Sequence, residues 1–84
     1  MSRATQAKRQ GMARALGTAL RVHQARLEIS QEEFAYREGL NRTLASLLER
    51  GLRTPTITVF CTIADALEVA PDRLMVDTLT NLRA

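Results

Sequence analysis

The chain has 84 residues and a formal net charge of +3, which suits one small domain and leaves little room for a deep substrate pocket with its own lid. Small aliphatic residues dominate and the aromatics are only Phe34, Tyr36 and Phe60, a composition that favours packed helices over a β-sandwich or barrel. Cys61 is the only cysteine, so no internal disulfide can form. No apolar run approaches the ~18–20 residues of a membrane span, no signal peptide is evident, and a reducing cytoplasm is the expected setting.

The distribution of charge says more than its sum. Residues 1–27 carry six cations (Arg3, Lys8, Arg9, Arg14, Arg21, Arg26) and no acid. Residues 28–53 carry four cations against five acids, and residues 54–84 two against four. A polyanion would attract the first third and not the last.

Residues 1–11 lack apolar periodicity and are expected to form a flexible basic arm, followed by one helix-turn-helix domain over residues 12–84. From Met12 a helical pattern runs through Leu16, Ala19, Leu20 and His23 and ends near Leu27. Ser30-Gln31-Glu32-Glu33 has the form of a capping box, with Ile29 placed to staple against Phe34. The short helix that follows stops before Gly39, whose missing Cβ permits a positive φ in a tight turn. Asn41 caps a third helix, Arg42 to Arg50, and Gly51 closes it. After the Arg53-Thr54-Pro55 loop, a fourth helix is expected to bury Ile57, Phe60, Ile63, Ala64 and Leu67, with Cys61 as a small core residue. Pro71 and Asp72 open a fifth helix, about 71–82. The expected fold is therefore all-α, with five helices joined by short connections.

Two short helices joined by a glycine-containing turn, over about residues 31–51, describe a helix-turn-helix. Ala35 is small where the two helices touch. Phe34, Leu40, Ala45 and Leu48 supply the apolar inner positions, and Glu38 is the one polar residue among them. In order along the chain, the matching residues are Leu16-Gly17, Leu20-Arg21, Ser30 to Ala35, Gly39 to Thr43, Leu48-Glu49-Arg50-Gly51, Pro55 and Ala64 to Val69. On these residues the sequence resembles the XRE-type, phage-repressor-like helix-turn-helix family, which implies a compact five-helix repressor-like DNA-binding domain. Leu40-Asn41-Arg42-Thr43 before Leu48-Glu49-Arg50 is similar to the small controller proteins of restriction-modification systems. Some positions depart from the family pattern. Gln24 stands where an arginine often pairs with the acid at position 49, leaving only a hydrogen bond to Glu49. Glu28 and Glu68 stand where helix-ending glycines are common, and Leu44 and Leu47 where polar or aromatic residues often touch DNA.

The resemblance and the helical spacing together nominate site residues. Asn41, Arg42, Thr43, Ser46 and Leu47 are candidates for reading bases, Arg42 by a two-bond contact to guanine O6 and N7. Gln31, Arg50, Arg53 and Arg21 are candidates for phosphate contacts, which position the protein without reading sequence. Met75, Leu79 and Leu82 form an apolar stripe expected to make a homodimer, which would set two recognition helices about 34–36 Å apart on a near-palindromic site. His23 has no metal-ligating neighbour at helical spacing and is expected to be structural. No metal, cofactor or catalytic motif is implied. The expected partners are double-stranded DNA and a second copy of the chain. The alternative is an antitoxin-type interaction module whose main partner is a protein, such as a toxin or polymerase.

Overall fold

The structure, a computed structural model, describes residues 2–84, with the side chain of Glu38 outside the described residues. Among the described residues, five α-helices and one 3-10 turn follow in order: α1 (Arg3–Leu27), α2 (Gln31–Tyr36), the 3-10 turn (Arg37–Gly39), α3 (Arg42–Glu49), α4 (Ile57–Ala66) and α5 (Pro71–Arg83). No helix among the described residues is long and apolar enough to cross a membrane.

The basic segment departs from expectation. Residues 3–11, expected to form an arm, are the opening turns of α1. The Ser2 hydroxyl accepts from the Thr5 amide at 3.2 Å and caps the helix. The segment is rich in Ala, Gln, Lys and Arg, which are strong helix formers, and apolar periodicity is not needed where a helix runs on from a packed one. Most of this overhang is exposed. The 25 residues of α1 make a rod about 37 Å long, close to the molecule's longest extent of 36 Å.

Three helices stop by the same device. A residue in the left-handed conformation follows the last turn and returns two amides to the open carbonyls. At α3 this residue is Gly51 (φ 71°), with Gly51 N donating to Leu48 O at 3.1 Å and Leu52 N to Leu47 O at 3.0 Å. At α1 and α4 it is Glu28 (φ 56°) and Glu68 (φ 57°), with matching amide pairs onto Ala25 and Gln24, and onto Asp65 and Ala64. A side chain there costs about 1–2 kcal/mol. Glu68 offsets part of it by accepting from Arg37 at 2.8 Å.

The core is built from Leu16 and Leu20 of α1, Phe34 and Ala35 of α2, Ala45 and Leu48 of α3, Ile63, Ala64 and Leu67 of α4, and Leu74 of α5. Ile29 packs against this cluster, which includes Phe34. Two residues of α4 are placed differently from expectation. Ile57 is 84% exposed, because it is the first residue of its helix and lies at the edge of the arc buried by Ile63, Ala66 and Leu67. Cys61 is exposed rather than a core residue, because the same arc leaves it on the opposite side of α4.

Helix α5 lies along α1 and is held there by polar contacts between residues far apart in sequence. His23 is buried and its Nε2 lies 2.8 Å from the Asp77 carboxylate. Asn81 Nδ2 donates to Ala15 O at 3.1 Å. Burial pushes the Asp77 carboxyl up, but the His23 hydrogen bond and the nearby Arg73 guanidinium outweigh it and hold it below its ordinary value. The structural role expected for His23 is thus a helix-to-helix tie. Leu74 and Thr78 are the buried residues of α5, whereas Met75 and Leu82 are exposed and Leu79 is half-buried.

Candidate nucleic-acid interface

The α2–turn–α3 unit is set by local chemistry at each joint. Ser30 Oγ accepts from the Glu33 amide at 3.0 Å and starts α2. The reciprocal half of the expected capping box is replaced, because the Glu33 carboxylate takes Arg37 Nε at 3.4 Å instead. Arg37 also donates to Ala66 O at 3.0 Å and to Glu68, tying the turn to the end of α4. The Glu68 hydrogen bond above all raises the Arg37 guanidinium above its ordinary value, against the opposing effect of burial. Gly39 adopts φ 64° with open space around it, so the conformation alone explains the glycine. Asn41 Oδ1 accepts from the Thr43 and Leu44 amides at 2.8 and 3.1 Å and starts α3. Its carbonyl oxygen is therefore spent on the cap.

The two ends of α3 are treated differently. Its C-terminus is clamped against α1. A Cβ on Gly17 would stand 2.8 Å from Glu49 O, and one on Gly51 would stand 3.0 Å from the Cα of Arg14. Arg21 donates to Glu49 O and to Thr18 Oγ1, so this expected phosphate ligand serves as a cap on α3. Gln24 and Glu49 are buried, but the hydrogen bond possible between them is not formed: among the described residues, Gln24 Nε2 and Glu49 Oε2 are both buried without a partner. Leaving such groups unpaired costs stability.

The outer face and N-terminus of α3 are open. Ala45 and Leu48 point inward at 1% and 0% exposure. Arg42 and Thr43 are exposed, and Ser46 and Leu47 are half-buried. Six of the nominated residues, Gln31, Arg42, Thr43, Ser46, Leu47 and Arg50, line one open groove between α2 and α3, together with Glu32 and Ala35. Arg42 Nη2 donates to Glu32 Oε1 at 3.3 Å across it. Arg53 is exposed in the loop after α3, outside the groove lining. Sequence reasoning missed Glu32 and Arg37, because their partners lie 10 and 31 residues away and no spacing rule links them.

A second groove is apolar. Met12 and Leu16 of α1, Pro55 and Ile57 at the start of α4, Phe60, and Met75 and Thr78 of α5 line it, with Thr54 and Thr56. Of the nominated dimer stripe, Met75 and Leu82 are 37% and 40% exposed and Leu79 is half-buried. Leu82 reaches back to α1, its Cδ1 standing 3.2 Å from where a Cβ on Gly11 would be. No group of three metal-ligating side chains occurs among the described residues.

A capped helix carrying exposed arginine and hydroxyl groups, fixed by its far end to a five-helix core, defines a helix-turn-helix DNA-binding regulator. The helix-turn-helix domain family matches residues 15–75, and the chain belongs to it, as the XRE-type resemblance implied. Among solved structures it is similar to the restriction-modification controller protein C.AhdI from Aeromonas hydrophila, with 31% identity over 74% of this chain and 94% of that one and a TM-score of 0.69. The fold is shared with the restriction-modification controller protein C.Esp1396I, solved as a tetramer on its natural 35-base-pair operator, with 23% identity, coverage of 87% and 96%, and a TM-score of 0.78. It is also shared with the clp gene regulator ClgR from Corynebacterium glutamicum, with 22% identity, coverage of 86% and 77%, and a TM-score of 0.79. Among curated proteins none matches the chain.

Proposed function

We propose that this protein is a transcriptional regulator of a bacterium or phage that acts in the cytoplasm. It places α3 in the major groove of a near-palindromic operator and binds as a homodimer. The observation that carries this reading is the open groove where Gln31, Arg42, Thr43, Ser46, Leu47 and Arg50 converge. Arg42 has the donors to grip guanine O6 and N7, Thr43 and Ser46 the hydroxyls for a base edge or phosphate, and Leu47 the surface for a thymine methyl. Asn41 contributes by capping α3 and has its amide nitrogen left for a base edge. Gln31, Arg50 and Arg53 supply phosphate contacts.

The apolar groove supports the dimer. Ile57 and Met75 both line it and are exposed, and burial of apolar surface against a second copy would remove both from water. Self-association through α5, with help from the start of α4, sets two α3 helices one DNA turn apart. No catalytic role is proposed. A protein partner at the apolar groove, such as a toxin or polymerase, is the second reading. It predicts that the chain purifies with that partner rather than as a free homodimer.

A gel shift with DNA from upstream of the protein's own gene tests the reading. Retardation is expected to survive an excess of unrelated duplex. Loss of the shifted band at equal competitor would count against sequence-specific binding.

A further inference from the structure

We infer that Glu32 is a specificity-determining residue of this interface: it holds Arg42 in position to read a base and penalises sites where Arg42 finds no guanine. The inference rests on the DNA-reading function proposed above. Glu32 lies in the first turn of α2 and Arg42 opens α3, and their side chains meet across the motif at 3.3 Å. The neighbouring acid, Glu33, is taken by Arg37. Glu32 and Glu33 thus take different arginines. The Glu32–Arg42 pair lies in the open groove, with the two side chains 77% and 75% exposed.

A carboxylate on the surface that meets a polyanion is repelled by the phosphates, so it weakens binding to every sequence. Its compensation is what it does to Arg42. The guanidinium carries five donors in a planar fork. One donor spent on Glu32 fixes the plane of that fork and leaves others for O6 and N7 of guanine. Holding a flexible arginine before binding reduces the ordering that binding must impose. At a wrong base, Arg42 either stays on Glu32 without new bonds or leaves it for a phosphate. The second choice strands a carboxylate beside the DNA backbone. Such a repulsive element against wrong partners is a recognised source of specificity.

The test uses the full chain, its operator, the operator with single base-pair changes at each position, and an unrelated duplex. Glu32→Gln is expected to bind the unrelated duplex about threefold more tightly at low salt, with the gain fading as salt rises. At the base pair read by Arg42, preference for the operator is expected to fall about tenfold. Glu32→Asp, which keeps the carboxylate, should restore much of that preference. In an Arg42→Ala background, Glu32→Gln should change no base preference. The thermal midpoint should hold, because exposed ion pairs contribute little to folding. Unchanged preference at every position, equal loosening at all positions, or a fall in thermal midpoint that accounts for the lost binding would each overturn the inference. A wild-type protein that does not distinguish operator from unrelated duplex would instead sink the DNA-reading function itself.

Discussion

Two open faces of this protein differ in chemistry, and the difference divides the work between them. The groove between α2 and α3 carries Arg42, Thr43, Ser46 and Arg50, groups that hydrogen-bond and attract phosphate. The groove over α1, α4 and α5 carries Met12, Pro55, Ile57, Phe60 and Met75, groups that gain by leaving water. One surface suits a polyanion, the other a protein. Both are built on helices whose opposite sides are buried: α3 by Ala45 and Leu48, α5 by Leu74 and Thr78. A small core fixes both surfaces.

The sharpest way to break this division is to charge the apolar face. Ile57→Glu with Met75→Glu should leave the fold intact, because both side chains reach solvent. It should convert the protein to a monomer by sedimentation equilibrium and lower operator affinity about 100-fold by removing the linkage of two half-sites. An unchanged dimer would move the interface elsewhere. Gly17→Ala attacks the clamp on the other surface. Its Cβ would collide with the backbone at Glu49 and Gly51, and overpacking of this kind costs about 1–3 kcal/mol, measurable by denaturant unfolding. A neutral result would mean that α1 and the end of α3 can part without loss. The smallest effect is expected at the end of α1. Glu28→Gly relieves a left-handed side-chain conformation at some cost in chain entropy and should stabilise by about 0.5 kcal/mol. Destabilisation would mean that the Glu28 side chain does more than occupy a strained position.

The fold was legible where local chemistry repeats a rule. Ser30 and Asn41 cap helices, Gly39 and Gly51 take positive φ, and Pro71 opens α5, each as its residue type implies. Glu28 and Glu68 were recognised as standing in helix-ending glycine positions, and both take the left-handed conformation. What was not legible depends on neighbours. Residues 3–11 carry no apolar face, so periodicity could not mark the helix that Ser2 starts. The exposure of Ile57 and of Cys61 depends on which arc of α4 meets the core. Arg21 reads as a basic candidate until the Glu49 carbonyl appears 28 residues on. His23 finds Asp77 at a separation of 54, beyond any local pattern. In the groove, the residue types pointed to DNA, while the pairing of Arg42 with Glu32 had to be seen.

The central claim is that α3 reads bases through Arg42 while positions outside the groove, such as Arg53, meet only phosphate. Binding of Arg42→Ala and Arg53→Ala to the operator and its single-base variants, measured across a salt series, tests it most directly. Arg42→Ala should lose about 1–3 kcal/mol on the operator and relax preference at one base pair, whereas Arg53→Ala should weaken all duplexes alike and reduce the salt slope by about one. An Arg42→Ala protein with wild-type affinity and an unchanged base profile would contradict the account.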